Sequence, residues 1–427
     1  MKKFFFYALV LALTAHCTPR RAPAPPRPGP SRPLPGRPLP SDTIRWTKPT
    51  GEKPPIGEPG SGKPGAPTGS GATFQIGLLL PFGSIDPGEV ASRNIPALQF
   101  YAGARLALEK IVAEGRINIV ADVWDTGLTD ESFNRLLANP RVGRAQAYIG
   151  PFRPSQVRAL AEITRAKRQI IVSPEVSTPD LTRNDPDFIQ MTPTLKAYCE
   201  AVALHALQTH SPDQIVLVHK SKESERAEYC QQAARQKTGG RSLRTLSVPD
   251  NAANFEKVDL RSALSPGKST AFIVPAWSQD YVASFLAKLT AVKGGSQVVV
   301  YGMPQWRQFE QIEDDYFRNL QVRLPIAAAI RYEDAQTRDF QKRFFETYGT
   351  IPDDDAFNGY DSALFLGEML RKHGLGFTEK LATESFKGLR GTYCFRPVGM
   401  GPDRAGKADY WENIQVQVLR FGPKGWE

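Results

Sequence analysis

The chain has 427 residues, enough for two or three domains, and 23% of them are charged with a mean hydropathy of −0.36, which excludes a polytopic membrane protein. A net charge of +10 would fit a polyanionic partner if it were spread over the whole surface. Instead residues 18–73 hold nine Lys or Arg against three acids, Lys2 and Lys3 add two more charges, and the 354 residues from Phe74 onward carry only +2. No nucleic-acid partner is expected.

In chain order the first element is an export signal. Residues 1–13 read MKKFFFYALVLAL, a two-lysine start and an apolar run too short to span a membrane stably. Thr14-Ala15-His16-Cys17 follow, and the segment resembles a bacterial lipoprotein signal, in which the Cys is diacylated and becomes the first mature residue. The resemblance implies lipidation of Cys17 and a membrane anchor, since each buried acyl methylene contributes about 0.8 kcal/mol. Leu13 stands four residues before the Cys and His16 is not small, so the pattern also admits cleavage after Ala15 and a soluble exported chain. Thr18, where an Asp would hold such a protein at the inner membrane, implies the outer membrane, facing the periplasm.

Residues 18–73 contain 16 of the 36 prolines and 9 of the 35 glycines. Such a composition cannot bury enough apolar surface to offset chain entropy, and it predicts a disordered basic tether. At about 3.1 Å per residue in polyproline geometry, it could hold a domain up to roughly 150 Å from a membrane. Gly57 to Lys63 match the spacing of a phosphate loop, but Pro64 stands where a Ser or Thr should ligate magnesium and no strand precedes it; the segment is linker.

From Phe74 short apolar runs alternate with helical periodicity, the pattern of βαβ units. Strands are predicted over 75–82, 117–125, 145–150 and 169–173, with helices over 97–114, 131–138 and 155–167 between them. After Thr192-Pro193-Thr194 a second series begins, with helices over 195–208, 223–237 and 280–292 and strands over 214–219, 269–275 and 297–301. The reading is an α/β fold of two doubly wound Rossmann-like lobes with a central cleft, and ligands of such sheets sit at the carboxyl ends of the strands.

Several segments carry a resemblance: FYAGARLALEK, the Asp125-Thr126-Gly127 turn, YIGPFRPSQVRALAEITRAKRQIIVSPEVS from Tyr148, and FETYGTIPDDDAFNGYDSALFLGEML from Phe345. In this order they resemble type I periplasmic binding proteins, the group of branched-chain amino-acid binding proteins, over 74–427. The resemblance implies two lobes joined by three crossovers, with lobe one over 74–193 and 327–390 and lobe two over 194–326 and 391–427. It also implies ligand contacts from Ser84, Ser155, Ser173, Glu175 and Ser177 on lobe one, and from Trp277, Gln279 and Trp306 on lobe two. Rim packing is an equal alternative for the two tryptophans, and helix capping is the alternative for the serines. Phe152 and Arg153 stand where small residues usually present backbone to the ligand, and they are expected to reach into the cleft.

Catalytic chemistry is missing from the pattern. The histidines are scattered, no HExxH or CxxC occurs, and Asp353-Asp354-Asp355 lacks the glycine and terminal glutamate of a calcium loop. That acidic run complements the start of a helix. No enzyme activity, metal or cofactor is expected. Cys199, Cys230 and Cys394 are an odd set for an exported protein; a Cys199–Cys230 bridge and three free thiols both remain open. Two functions fit: a membrane-tethered substrate-binding lipoprotein for an amino acid or peptide serving an ABC transporter, or an interaction module regulating cell-envelope machinery such as a peptidoglycan synthase. The partner is accordingly a small molecule in the cleft or a cell-envelope protein.

Overall fold

The structure, a computed structural model, describes residues 71–84, 94–248, 257–399, 408–423 and 425–427, and the backbone of 41–46. Cys17 and most of 18–73 lie outside the described residues. No described helix is long and apolar enough to cross a membrane.

Two sheets build two lobes. In lobe one β2 (Ala72–Leu80), β3 (Ile117–Asp125), β4 (Ala147–Ile149), β5 (Ile170–Ser173) and β6 (Phe188–Gln190) are parallel, in the order β3-β2-β4-β5-β6. In lobe two β7 (Ile215–Lys220), β8 (Arg244–Val248), β9 (Thr270–Ile273), β10 (Val298–Tyr301) and β11 (Arg323–Ile326) are parallel, in the order β11-β10-β9-β7-β8. The strands are near-continuous apolar runs because helices cover both faces. On lobe one these are α1 (Ile95–Ala113), α2 (Asp130–Leu137), α3 (Pro154–Thr164), α8 (Ala335–Tyr348) and α9 (Asp354–His373); on lobe two they are α4 (Leu195–Ala206), α5 (Ser224–Thr238), α6 (Gln279–Lys293) and α7 (Asp314–Asn319).

Two expectations need correction. Within the predicted tether, β1 (Ser41–Trp46) pairs antiparallel with β3 from Ser41 opposite Trp124 to Trp46 opposite Ile119. The reason is local: SDTIRW is the one proline-free stretch of the tail rich in strand-forming residues. The second concerns the strands after Gly391, which were all expected in lobe two. β13 (Thr392–Val398) and β14 (Tyr410–Asn413) instead complete the lobe-one sheet, with β14 parallel to β6, and they join to it β12 (Ser385–Lys387), which falls in lobe one as expected. Only β15 (Gln417–Gly422) and β16 (Gly425–Trp426) join lobe two, where β15 runs antiparallel to β11. The third crossover therefore lies at 414–416, beside the crossovers at 191–194 and 327–334.

The core of lobe one is fixed by an unusually close helix pair. A Cβ on Gly103 of α1 would stand 1.9 Å from the Ala356 carbonyl oxygen, and one on Gly359 of α9 would stand 1.9 Å from the Phe100 carbonyl oxygen. Only glycine permits this backbone-to-backbone contact. Lobe two pairs α4 with α5 through small buried residues instead, among them Cys199, Ala203, Cys230 and Ala234. Both of these cysteines are free, and the Cys230 thiol donates to the Cys199 carbonyl at 3.5 Å.

Candidate functional site

The carboxyl ends of the parallel strands define the cleft edges. On lobe one, Asp125 at the end of β3 organises the first two loops. Its carboxylate accepts from the backbone N–H of Gly83 at 3.0 Å, of Ser84 at 2.8 Å and of Gly127 at 2.8 Å, and from the Ser84 hydroxyl. Gly83 and Gly127 both have positive φ, +67° and +65°, so the turns that aim these N–H groups need glycine. The neighbouring loop is tied in the same manner. Ser155 donates to Asp130 at 2.7 Å, while Arg153 reaches the Leu128 carbonyl and stands 3.7 Å from Asp130. Phe152 was expected in the cleft; it packs edge-on against Phe100 of the lobe-one core, with centroids 4.9 Å apart. Gly150, at φ +90°, makes room for this loop, since a Cβ there would lie 2.3 Å from the Leu79 carbonyl oxygen.

The loop after β5 supplies the remaining lobe-one candidates. Ser173 is fully buried and faces the same side of the sheet as its register partner Gln190. Glu175 is exposed as a residue, but its carboxyl end lies against α9, where the Asn358 amide donates to it at 3.4 Å. Burial of that end, and then the negative Asp355, raise its pKa above the ordinary carboxylate value, with Arg390 and the Asn358 amide opposing them. Ser177 is exposed. Neither Ser155 nor Ser177 caps a helix: α3 starts at Pro154 with Arg153 at its cap and no side-chain cap bond.

On lobe two the edge is cationic and aromatic. The Lys220 ammonium sits 4.6 Å from the Tyr281 ring centroid, and the Arg226 guanidinium 5.2 Å from that of Trp277, both within cation–π range. Arg226 also pairs with Glu223 at 3.1 Å and donates to the Pro275 carbonyl at 3.3 Å. Trp277 is 42% exposed and Gln279, the first residue of α6, is half-buried. Trp306 requires correction as a ligand residue. It is fully buried and its indole N–H donates to the Ala276 carbonyl at 2.8 Å, packed where a Cβ on Gly302 would meet the ring at 2.4 Å.

The crossovers are held by residues that sequence reasoning missed. Asn413 donates to the Met191 carbonyl at 2.8 Å and accepts from the N–H of Cys394 and Gln415, which ties the first crossover to the third. Arg396 of lobe one pairs with Glu200 of α4 at 2.6 Å and with buried Glu412 at 3.3 Å, and Glu412 accepts from Thr194, the cap of α4. Buried Asp361 accepts from the N–H of Leu389 and Arg390 and from the Tyr393 hydroxyl, at 2.7, 2.9 and 2.9 Å. These contacts join residues 196 to 222 positions apart or lack any local motif; Asp125 alone, in its strand-end Asp-Thr-Gly turn, had a readable signal. Among the described residues no group of three or more His, Cys, Asp or Glu could hold a metal ion.

A family model described as periplasmic binding protein matches residues 73–411. A comparison with curated proteins finds no match. Among solved structures, a putative branched-chain amino acid ABC transporter protein from Rhodospirillum rubrum is 18% identical with a TM-score of 0.60, covering 83% of this chain and 99% of that one. A substrate-binding protein from Desulfitobacterium hafniense, solved in complex with Leu, is 19% identical with a TM-score of 0.52 and the same coverage. Full-length LpoA from Haemophilus influenzae is 14% identical with a TM-score of 0.54, matched over 83% of this chain and 58% of its own. At these identities the likeness is one of fold. The family match over most of the chain, the two α/β lobes and their three adjacent crossovers place this protein in the periplasmic binding protein family.

Proposed function

We propose that the protein is an exported, membrane-tethered, non-catalytic binding lipoprotein whose cleft closes on a small polar ligand carrying both charge signs, such as an amino acid or short peptide. The observation that carries this reading is the contrast in chemistry between the two edges: Glu175 with Asn358 and Asp355 on lobe one, Arg226 with exposed Trp277 and Lys220 on lobe two. An ammonium fits the first edge and a carboxylate the second, and closure about adjacent crossovers brings such edges together. Cys17 is the anchor in this reading, and the basic Pro-rich chain from Thr18 to β1 is the tether. A ligand that binds only the native state must raise its melting temperature by mass action. Thermal unfolding of the full chain with amino acids and di- and tripeptides tests this; an unshifted midpoint across the panel overturns it. Cys17→Ser tests the anchor, since it should release the protein from membranes.

A second reading, an interaction module acting on cell-envelope machinery such as a peptidoglycan synthase, draws on one specific observation. The Ser84 and Ser155 hydroxyls and the Arg153 guanidinium are engaged within lobe one, which leaves fewer groups for a ligand there. Co-purification of a cell-wall synthase with a chain that gives no shift on the ligand panel would favour this reading over the first.

A further inference from the structure

We infer that β1 is a detachable strap that sets how far the domain stands from its anchor and which end of lobe one is tied to it. The inference rests on the tethered reading above. Among the described residues β1 is the outermost strand of its sheet and pairs with β3 alone. Because it runs antiparallel, Ser41 lies opposite Trp124 at the carboxyl end of β3, next to Asp125 and the cleft edge, while Trp46 lies opposite Ile119 near the amino end. With β1 paired, the chain towards Cys17 therefore leaves the domain at the cleft end. With β1 released it leaves at Ala72, opposite Ile117 at the other end of the same sheet.

The length of the connection after β1 is the second observation. Trp46 and Ala72 stand at the same end of β3 on its two flanks, so two strand spacings and a two-residue offset separate them, roughly 12 Å. The 25 residues 47–71 that join them, with six prolines and seven glycines, are several times what that gap needs. Connections of this length within a compact domain are uncommon unless they serve a function or act as linker. A strand of six residues held along one edge can open as a local unit while β3 keeps β2 on its other side. Pairing leaves only the 23 residues 18–40 as tether, about 70 Å in polyproline geometry, and release restores the roughly 150 Å of the whole tail. The short state ties the cleft end to the anchoring membrane, which suits a partner in that membrane. The long state ties the opposite end and frees the cleft to meet a partner across the envelope.

Optical-trap stretching of the full Cys17→Ser chain, between handles at its N-terminus and Glu427, tests the strap without a membrane; failure of the anchor is read separately, by fractionation of the same variant. The first event expected is a reversible lengthening of roughly 80 Å, the 31 residues 41–71 less the distance they already span, at a lower force than the unfolding of either lobe. Arg45→Cys with Val120→Cys, a register pair that oxidation should join, should abolish this step and keep the later ones, and reduction should restore it. Thr43→Pro with Ile44→Pro, which removes ladder donors, should also abolish it, by leaving the strap unpaired, with the melting temperature of the lobes unchanged. Absence of the step from the unsubstituted chain, its persistence once the disulfide is confirmed by mass, or failure of that pair to oxidise overturns the inference. So does lengthening that occurs only together with the unfolding of lobe one.

Discussion

Along the lobe-one edge the strand-end loops are fastened by carboxylates: Asp125 gathers two turns and Asp130 receives Ser155 and Arg153. Along the lobe-two edge the corresponding positions hold Lys220 and Arg226 laid over aromatic rings, with Trp277 turned outward. One edge is a network of short polar side chains bonded to backbone; the other is long cationic side chains on apolar faces, which shift at small cost. The contrast teaches where rigidity and adaptability reside: lobe one presents a preformed surface, and lobe two supplies groups that can settle onto whatever occupies it.

The comparison can be broken most severely at the two lobe-two tryptophans. Trp306→Ala should cost about 3–5 kcal/mol, because it empties a filled core site, whereas Trp277→Ala should stay within about 1 kcal/mol; denaturant unfolding of both variants checks this, and equal costs would erase the distinction between edge and core. On lobe one a pH effect comes next. Asp185 is buried, and desolvation, reinforced by Asp187 and opposed by Arg165 and Arg168, raises its pKa from 3.8 to about 7. The unfolded chain gives up this proton first, so the stability from this group is complete below about pH 4 and is lost as pH rises towards 7, by up to ~4 kcal/mol. Asp185→Asn should flatten that part of the pH–stability curve.

Asp125→Ala should follow, at about 2–4 kcal/mol, since it leaves the N–H groups of Gly83, Ser84 and Gly127 without their acceptor; increased amide exchange at 83 and 127 would localise the damage to this edge. The smallest effect on stability, within about 0.5 kcal/mol, is expected for Arg226→Gln. That variant should still weaken binding of any anionic ligand by the cleft, measured by titration with whichever panel member shifts the midpoint. A stability loss as large as that of Asp125→Ala would show that the lobe-two edge is fastened as tightly as the other.

The alternation of strands and helices was legible because both lobes are parallel sheets, whose buried strands write short apolar runs between helical periods. The runs predicted over 117–125 and 169–173 correspond to β3 and β5. The final strands were misplaced because nothing within Thr392–Val398 or Tyr410–Asn413 encodes a partner; Trp411 pairs with Ile189, a choice fixed by tertiary packing. β1 was hidden by the composition around it, since 16 prolines in the tail outweighed six proline-free residues. At the cleft, Trp277 and Trp306 follow strand ends in similar contexts, and only the Gly302 that clears space for the second indole separates them in the sequence. The crossover ties of Arg396, Glu412 and Asn413 had no local signature.

The close approach of α1 and α9, with Gly103 against Ala356 and Gly359 against Phe100, also constrains the order in which the molecule can assemble. The Tyr348 hydroxyl bonds the Ala102 carbonyl across 246 residues of sequence, and Asn413 bonds Met191 across 222. Within lobe two, His205 meets Tyr301 across 96 and Arg323 meets Tyr301 across 22. Closing long loops is entropically costly and slow, so lobe two can condense around nearby partners while lobe one waits for α9 and β14. During export, the α1 face that ends against α9 stays uncovered until almost the whole chain has been delivered, and it is then the surface on which misassembly or chaperone capture would act.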